Sequence, residues 1–177
     1  MTTAQSVVPA HGERAATALA LHEEQKQYLT FTLGKEVFAA AILTVKEILR
    51  YSLITDVPMT HPCLLGMFNL RGRVVPIVDL AVRLGRDPTD IGRRTCIVIA
   101  EVTNSNGTVE VGIVVDAVRA VVDIPGSLVE PPPAFGIRLH ADHMMGVTRL
   151  DNLFVVLLDL SKVLAMEELA TLSQGRA

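Results

Sequence analysis

The 177-residue chain has no tryptophan, and its aromatic complement is five phenylalanines and two tyrosines. Single-stranded nucleic acid is held by aromatics stacked on a basic groove. With aromatics at 4%, and 16 Lys and Arg against 19 Asp and Glu (net −3), neither half of that requirement is met. Nucleic acid is therefore not an expected partner. Cysteine is scarce as well: Cys63 and Cys96 stand far apart with no CxxC spacing. They build no disulfide framework and are read as reduced, buried thiols acting as small apolar residues. No apolar run approaches the ~20 residues of a membrane-spanning helix. The start of the chain, Met1 to Val8, shows no basic stretch followed by an apolar one. A cytoplasmic protein without direct membrane insertion is expected.

Two further absences narrow the chemistry. Gly34-Lys35 lies outside the GxxxxGK[ST] frame of a phosphate loop and reads as a hairpin turn. Helical stretches of ~10–15 residues between strands are missing, which argues against a parallel α/β sheet. His140 and His143 have a spacing that invites a metal, but no cysteine lies near to complete a ligand set, so they read as solvated loop histidines. Asp79, Asp116 and Asp159 each end an apolar run. Acidic pockets at strand ends belong to parallel sheets flanked by helices. Here each Asp is expected to terminate a strand and cap the next turn of chain. No catalytic residue, metal or cofactor is assigned.

The chain is rich in aliphatic side chains: half of its residues are hydrophobic. Branched aliphatics suit a pleated surface. Tyr28 to Leu33 alternates, with the aromatics grouped on one side and the leucines on the other, and Glu36 to Ala40 resumes after Gly34-Lys35 as a hairpin. Ile42, Val45, Ile48 and Leu49 fit either a helical turn or a twisted strand. Met67 to Leu70 and Arg73 to Val78 flank Arg71-Gly72 as a second hairpin, in which Pro76 implies an edge or a bulge. Asp79 is placed to cap a short helix ending at Gly85. Arg86 to Arg93 is a polar crossover between two halves. Thr95 to Val102 is a strand, Asn106-Gly107 a turn, and Val109 to Val122 a long strand bent at Gly112. Met144 to Leu150 and Asn152 to Leu158 form a last hairpin, followed by a helix from Asp159 to Leu172. Many short strands with frequent turns indicate an all-β barrel architecture. The expected domains are a flexible extension over 1–25, with a short helix from Glu13 to Lys26, a folded body over 26–168 with halves at about 28–90 and 94–165, and a tail over 169–177.

The stretch Phe68-Asn69-Leu70-Arg71-Gly72-Arg73-Val74-Val75-Pro76-Ile77-Val78-Asp79-Leu80 resembles the central signature of the CheW family of chemotaxis coupling proteins and of the regulatory domain of the kinase CheA. Tyr28 to Gly34 with Ile42 to Ile48, Val111 to Val118, and Leu153 to Leu164 resemble the family's opening, second-half strand and close. Coverage runs from about Gln27 to Leu164. The resemblance implies two intertwined SH3-like five-stranded β-barrels with short helices and a C-terminal helix, and no enzymatic activity. It implies an adaptor that couples methyl-accepting chemoreceptors, through their cytoplasmic tip, to the histidine kinase CheA, through its regulatory domain, within membrane-bound receptor arrays. A receptor groove would include Val45, Gly66, Arg71, Gly112 and Val118, and a kinase face Ile48, Leu49 and Ile54. Against this stand plain core packing for the two valines and an ion pair bracing the two barrels for Arg71. The chain departs from the family at Ala39-Ala40-Ala41 and at Lys46, which bears on partner choice. A paralogue serving a pilus or biofilm system is the related alternative, and a small barrel enzyme or oligonucleotide binder the unrelated one. A fusion to a receiver, or a kinase's own regulatory domain, is disfavoured by the length.

Overall fold

The structure, a computed structural model, describes residues 25–58, 61–105, 107–134 and 139–165. Ten strands make up most of it: β1 (Gln25–Leu33), β2 (Glu36–Ala41), β3 (Val45–Arg50), β4 (Leu64–Leu70), β5 (Arg73–Asp79), β6 (Cys96–Asn104), β7 (Gly107–Val115), β8 (Ala117–Pro125), β9 (Met144–Leu150) and β10 (Leu153–Leu158). Two single-turn helices, α1 (Leu80–Arg83) and α2 (Leu160–Val163), follow β5 and β10. The fold is all-β, as the turns and aliphatic runs imply. The extension helix expected over Glu13 to Lys26 lies outside the described residues except at its end, where Gln25 and Lys26 are already strand. The tail at 169–177 lies outside them; the helix expected from Asp159 to Leu172 is a single turn that ends at Val163, and the expected stretch past residue 165 lies outside the described residues.

The strands form two five-stranded sheets, ordered β8-β1-β2-β10-β9 and β3-β6-β7-β5-β4. These sheets do not follow the halves 28–90 and 94–165. β1 and β2 lie in the first sheet while β3, β4 and β5 lie in the second; β6 and β7 then continue the second, and β8 to β10 return to the first. Each half of the chain therefore gives two strands to one sheet and three to the other. The crossings fall at the 3-10 turn Ile42–Thr44 and at Asp116. Arg86 to Arg93 joins β5 to β6 inside a single sheet, so it is not the crossover expected there.

This interlacing explains why the central strands are apolar on both faces. Leu29, Phe31 and Leu33 of β1 face an interior shared by both sheets, together with Val98, Ala100, Val111, Ile113 and Val115. Tyr28 faces a separate cluster of the first sheet with Val37, Ile124 and Leu157. Ile77, Ile97, Ile99 and Val114 fill the matching cluster of the second sheet. Tyr28 and Phe31 thus part company, because residues three apart on a period-two strand point to opposite faces. Phe31 instead pairs across the hairpin with Phe38, the rings 6.3 Å apart and nearly parallel.

Local chemistry sets the corners. Arg71-Gly72 and Asp151-Asn152 all have positive φ (52°, 86°, 47°, 62°), the twist that two-residue hairpins favour. The ambiguous stretch after Ala41 holds both elements, a 3-10 turn and then β3. β5 is not an edge strand. Its parallel ladder to β7 begins only at Ile77, and its partner Met67 hydrogen-bonds to Thr55 instead, so Pro76 deprives no ladder of a donor. The long strand expected over Val109 to Val122 is two strands, and it breaks at Asp116 rather than at Gly112.

Candidate partner-binding site

Pairing across the second sheet runs Gly66–Ile77–Gly112–Ile99–Glu47, one residue from each strand. Two of the receptor-groove residues, Gly66 and Gly112, thus lie in one transverse row, and the row ends at Glu47. Glu47 Oε1 and Oε2 accept from both terminal nitrogens of Arg71, at 2.8 and 3.2 Å. β3 and β4 are opposite edges of this sheet. The Arg71 fork therefore ties the β4–β5 turn to the far edge of its own sheet. An ion pair is present, as the structural alternative supposed, but it does not brace one sheet against the other. Asn69 Oδ1 accepts from the Gly72 backbone N–H at 2.8 Å and holds the turn, leaving the Arg71 side chain 72% exposed.

The two glycines serve the protein's own packing. Gly66 has φ 148°, and a Cβ there would run into the Thr55 carbonyl, where Thr55 and Met67 exchange hydrogen bonds of 3.0 and 2.9 Å. Gly112 is buried, and a Cβ there would strike the side chains of Ile77, Ile97 and Ile99. Both glycines thus admit a close neighbour from within the protein, the Thr55 backbone at Gly66 and isoleucine side chains at Gly112. Val45 and Val118 are half-buried against the shared interior, which answers to the packing alternative while leaving part of each side chain accessible. Val118 belongs to the other sheet, on β8 opposite Phe31, so the five residues do not form one continuous patch on a single sheet. Of the kinase-face candidates, Ile48 is 42% exposed. Leu49 and Ile54 pack partly buried against the cluster of the second sheet.

A family model for the CheW-like domain matches residues 27–168. The chain belongs to the CheW-like family. It is 33% identical to the chemotaxis protein CheW of Klebsiella aerogenes over 145 residues, covering 82% of this chain and 85% of that one. It is 32% identical to protein FrzA of Myxococcus xanthus, covering 86% and 92%. The solved structure of the scaffolding protein TtCheW from Thermoanaerobacter tengcongensis superposes with a TM-score of 0.71 at 27% identity, covering 80% of this chain and 89% of that one. These likenesses make the chain a chemotaxis adaptor of the scaffold type. No helix among the described residues is long and apolar enough to cross a membrane.

The residues that tempt an enzymatic reading have structural work in this CheW-like body. Asp79 is 2% exposed. Its Oδ1 accepts from the N–H groups of Ala81 and Val82 and from the Thr89 hydroxyl, and its Oδ2 from the Thr89 N–H. Asp159 caps α2 through the N–H groups of Ser161 and Lys162. The backbone repeats too: Asp79 N–H donates to the Cys63 carbonyl, and Asp159 N–H to the His143 carbonyl. Asp116 departs from the capping expectation, because its Oδ2 accepts from Gly34 N–H at 2.6 Å and so secures the β1–β2 turn.

His143 is buried at 6% exposure, not solvated, and meets the exposed His140 edge to face at 5.4 Å. Its backbone carbonyl accepts from the Asp159 N–H at the α2 corner. Among the described residues no three His, Cys, Asp or Glu side chains gather to hold a metal. Cys63 is fully buried, whereas Cys96 is only half-buried. Burial pushes the Cys63 thiol above its ordinary pKa, opposed in part by the nearby Arg83 guanidinium. His61 Nδ1 lies 3.0 Å from its sulfur. Of the family departures, Ala39 and Ala40 are buried in β2, and Lys46 pairs with Glu101 at 2.8 Å.

Sequence reasoning missed one feature. Val118 lines a recess of about 530 Å3 whose other walls include Arg50, Arg93, Arg94 and Arg119. The adjacent Arg93-Arg94 pair is its only signal in the linear sequence.

Proposed function

We propose that this chain couples the cytoplasmic tip of a methyl-accepting chemoreceptor to the regulatory domain of the histidine kinase CheA, in the cytoplasm at membrane-bound receptor arrays, and that it does no chemistry itself. The observation that carries this reading is Arg71. The guanidinium is mostly exposed on a turn of fixed shape, and its carboxylate partner is the protein's own. An exposed ion pair contributes little to stability, so the fork is available to exchange Glu47 for a partner's carboxylate at small cost. Val45 and Val118 would add aliphatic contact on the receptor side. Gly66 and Gly112 would act indirectly, by keeping the second sheet's row in register. On the kinase side Ile48 supplies exposed surface, with Leu49 and Ile54 supporting it from the cluster beneath.

Capture of a receptor cytoplasmic fragment and of the kinase regulatory domain by the purified full chain tests this. Arg71→Ala is expected to weaken receptor capture by about tenfold while unfolding shifts by less than about 1 kcal/mol and kinase binding holds. Glu47→Ala, which frees Arg71, should retain receptor capture. Loss of stability in step with loss of receptor binding would make Arg71 a brace instead. Failure of the unaltered chain to bind either partner would overturn the coupling reading.

A further inference from the structure

A cleft of about 890 Å3 opens at the turn of the β1–β2 hairpin. Its walls come from that hairpin, from α1 and the loop after it, from Asp116 and from the start of β10. The apolar lining includes Leu33, Val37, Leu84, Leu139, Phe154 and Val156. Phe154 is 50% exposed, a large aromatic left open on a strand. None of these residues belongs to the receptor groove or the kinase face. The charged lining is Lys35, Glu36, Arg86, Asp87, Asp90 and Asp116. Arg86 is already matched, since it pairs with Glu36 and lies over the Phe38 ring at 5.0 Å. That leaves three aspartates against Lys35, and none of the three has a cationic partner among the described residues. The walls are held in place. Thr89 donates to Asp79 through its N–H and its hydroxyl, at 2.9 Å each, and so fixes the loop that carries Asp87 and Asp90. Gly34 N–H donates to Asp116 at 2.6 Å and fixes the hairpin side.

We infer that this cleft docks a protein segment carrying clustered lysine or arginine side chains among aliphatic ones. Uncompensated carboxylates beside an apolar wall attract a cation and reward the apolar stem that comes with it. Arg86 shows the chemistry within the cleft itself: a guanidinium set over an aromatic ring and paired with a carboxylate. A partner's cation would meet Phe154 and the aspartates in the same way. A bare metal ion does not suit the site, because among the described residues no three His, Cys, Asp or Glu side chains gather to hold one. The volume is that of an ordinary binding cleft, and fixed walls lower the cost of binding. The chain's own ends are poor occupants on charge. Residues 1–24 carry Glu13, Glu23 and Glu24 against Arg14, and residues 166–177 carry Glu167 and Glu168 against Arg176. The inference goes beyond the coupling reading and does not rest on it.

The probe is a fluorescent peptide with lysines along one side and leucines along the other, titrated with the full chain at low and high salt. Spermidine is titrated in parallel, and sedimentation of the chain alone is followed against concentration. Expected are saturable peptide binding that weakens with salt, a loss of about tenfold in affinity for Asp87→Lys/Asp90→Lys, and a loss of about threefold for Phe154→Ala. Asp56→Lys/Asp123→Lys makes the same charge change outside the cleft and should alter affinity by less than about twofold. All five positions are exposed, so the variants should fold. A peptide with glutamine in place of lysine should not bind. Equal losses for the two double variants would reduce the effect to overall charge and overturn the site. Spermidine binding or self-association that needs Asp87 and Asp90, with no peptide binding, would overturn it in favour of a small polycation or a second copy of the chain. Capture of the receptor fragment and of the kinase domain should survive Asp87→Lys/Asp90→Lys; loss of either would merge the cleft with the coupling surfaces and overturn it as a separate site. Failure of the unaltered chain to capture receptor or kinase would count against the coupling reading alone and leave the peptide result standing.

Discussion

At the scale of the residue, the two cysteines show how much burial decides. The sequence makes them equivalent, two isolated thiols without a partner motif. The fold places Cys63 wholly inside with a raised pKa, and leaves Cys96 half-buried with its thiol donating to the Arg94 carbonyl at 3.2 Å. Native protein treated with iodoacetamide near neutral pH is expected to react at Cys96 and to spare Cys63, as read by mass spectrometry of peptides; the reverse order would mean that the β4 region opens readily. Because the folded thiol pKa of Cys63 lies above the unfolded one, its contribution to stability is intact below the unfolded pKa. It is lost as pH rises through the folded value. Urea midpoints should therefore fall as pH rises past the ordinary thiol range, less steeply in Cys63→Ala. The capping role of Asp79 and Asp159 is legible in the sequence because capping is a local act: the acceptor and the helix N–H groups it caps sit within three residues, whereas the further bonds of Asp79 to Thr89 are not local. Asp116 escapes that logic because its donor, Gly34, comes from a hairpin far back in the chain.

At the scale of the element, the hairpins around Gly34-Lys35, Arg71-Gly72 and Asp151-Asn152 are readable from turn chemistry, since few residues tolerate the backbone twist that such turns need. Strand interiors are less so. Gly112 looks like a bend in the sequence and is a straight, paired position in β7, left bare so that Ile77, Ile97 and Ile99 can meet over it. Gly66 is bare for a different reason, a backbone at positive φ pressed against the Thr55 carbonyl. The consequences differ accordingly. Gly112→Ala pushes on flexible isoleucine ends and should cost about 1–3 kcal/mol. Gly66→Ala meets backbone and a disfavoured φ together and should cost about 3 kcal/mol or more. Chemical denaturation of the two variants checks the order; a smaller loss for Gly66→Ala would mean that the Thr55–Met67 bridge gives way without penalty. If receptor capture falls in Gly112→Ala only as far as stability does, the glycine has no direct contact with the partner.

At the scale of the whole molecule, each half of the chain completes the other's sheet. Residues 1–90 contain β1 to β5, split between the two sheets, and residues 91–177 contain β6 to β10, split the other way. Neither half can bury the shared interior by itself. Expressed separately, the two fragments should show no cooperative unfolding; co-expressed, they should assemble and regain it. A fragment 1–90 that folds alone would contradict the interlacing. The all-β class, the hairpin corners, the capped turns after Asp79 and Asp159, and the signature from Phe68 to Leu80 are all set in the linear chain. Each rests on neighbours within a few residues, where turn geometry and side-chain type suffice. Only the folded arrangement settles which strand joins which sheet, that Gly66 and Gly112 lie in one row ending at Glu47 and Arg71, and that Arg50, Arg93, Arg94 and Arg119 surround one recess. Those facts depend on pairings between distant segments, which are selected by burial of the common core and leave no periodic trace in the chain.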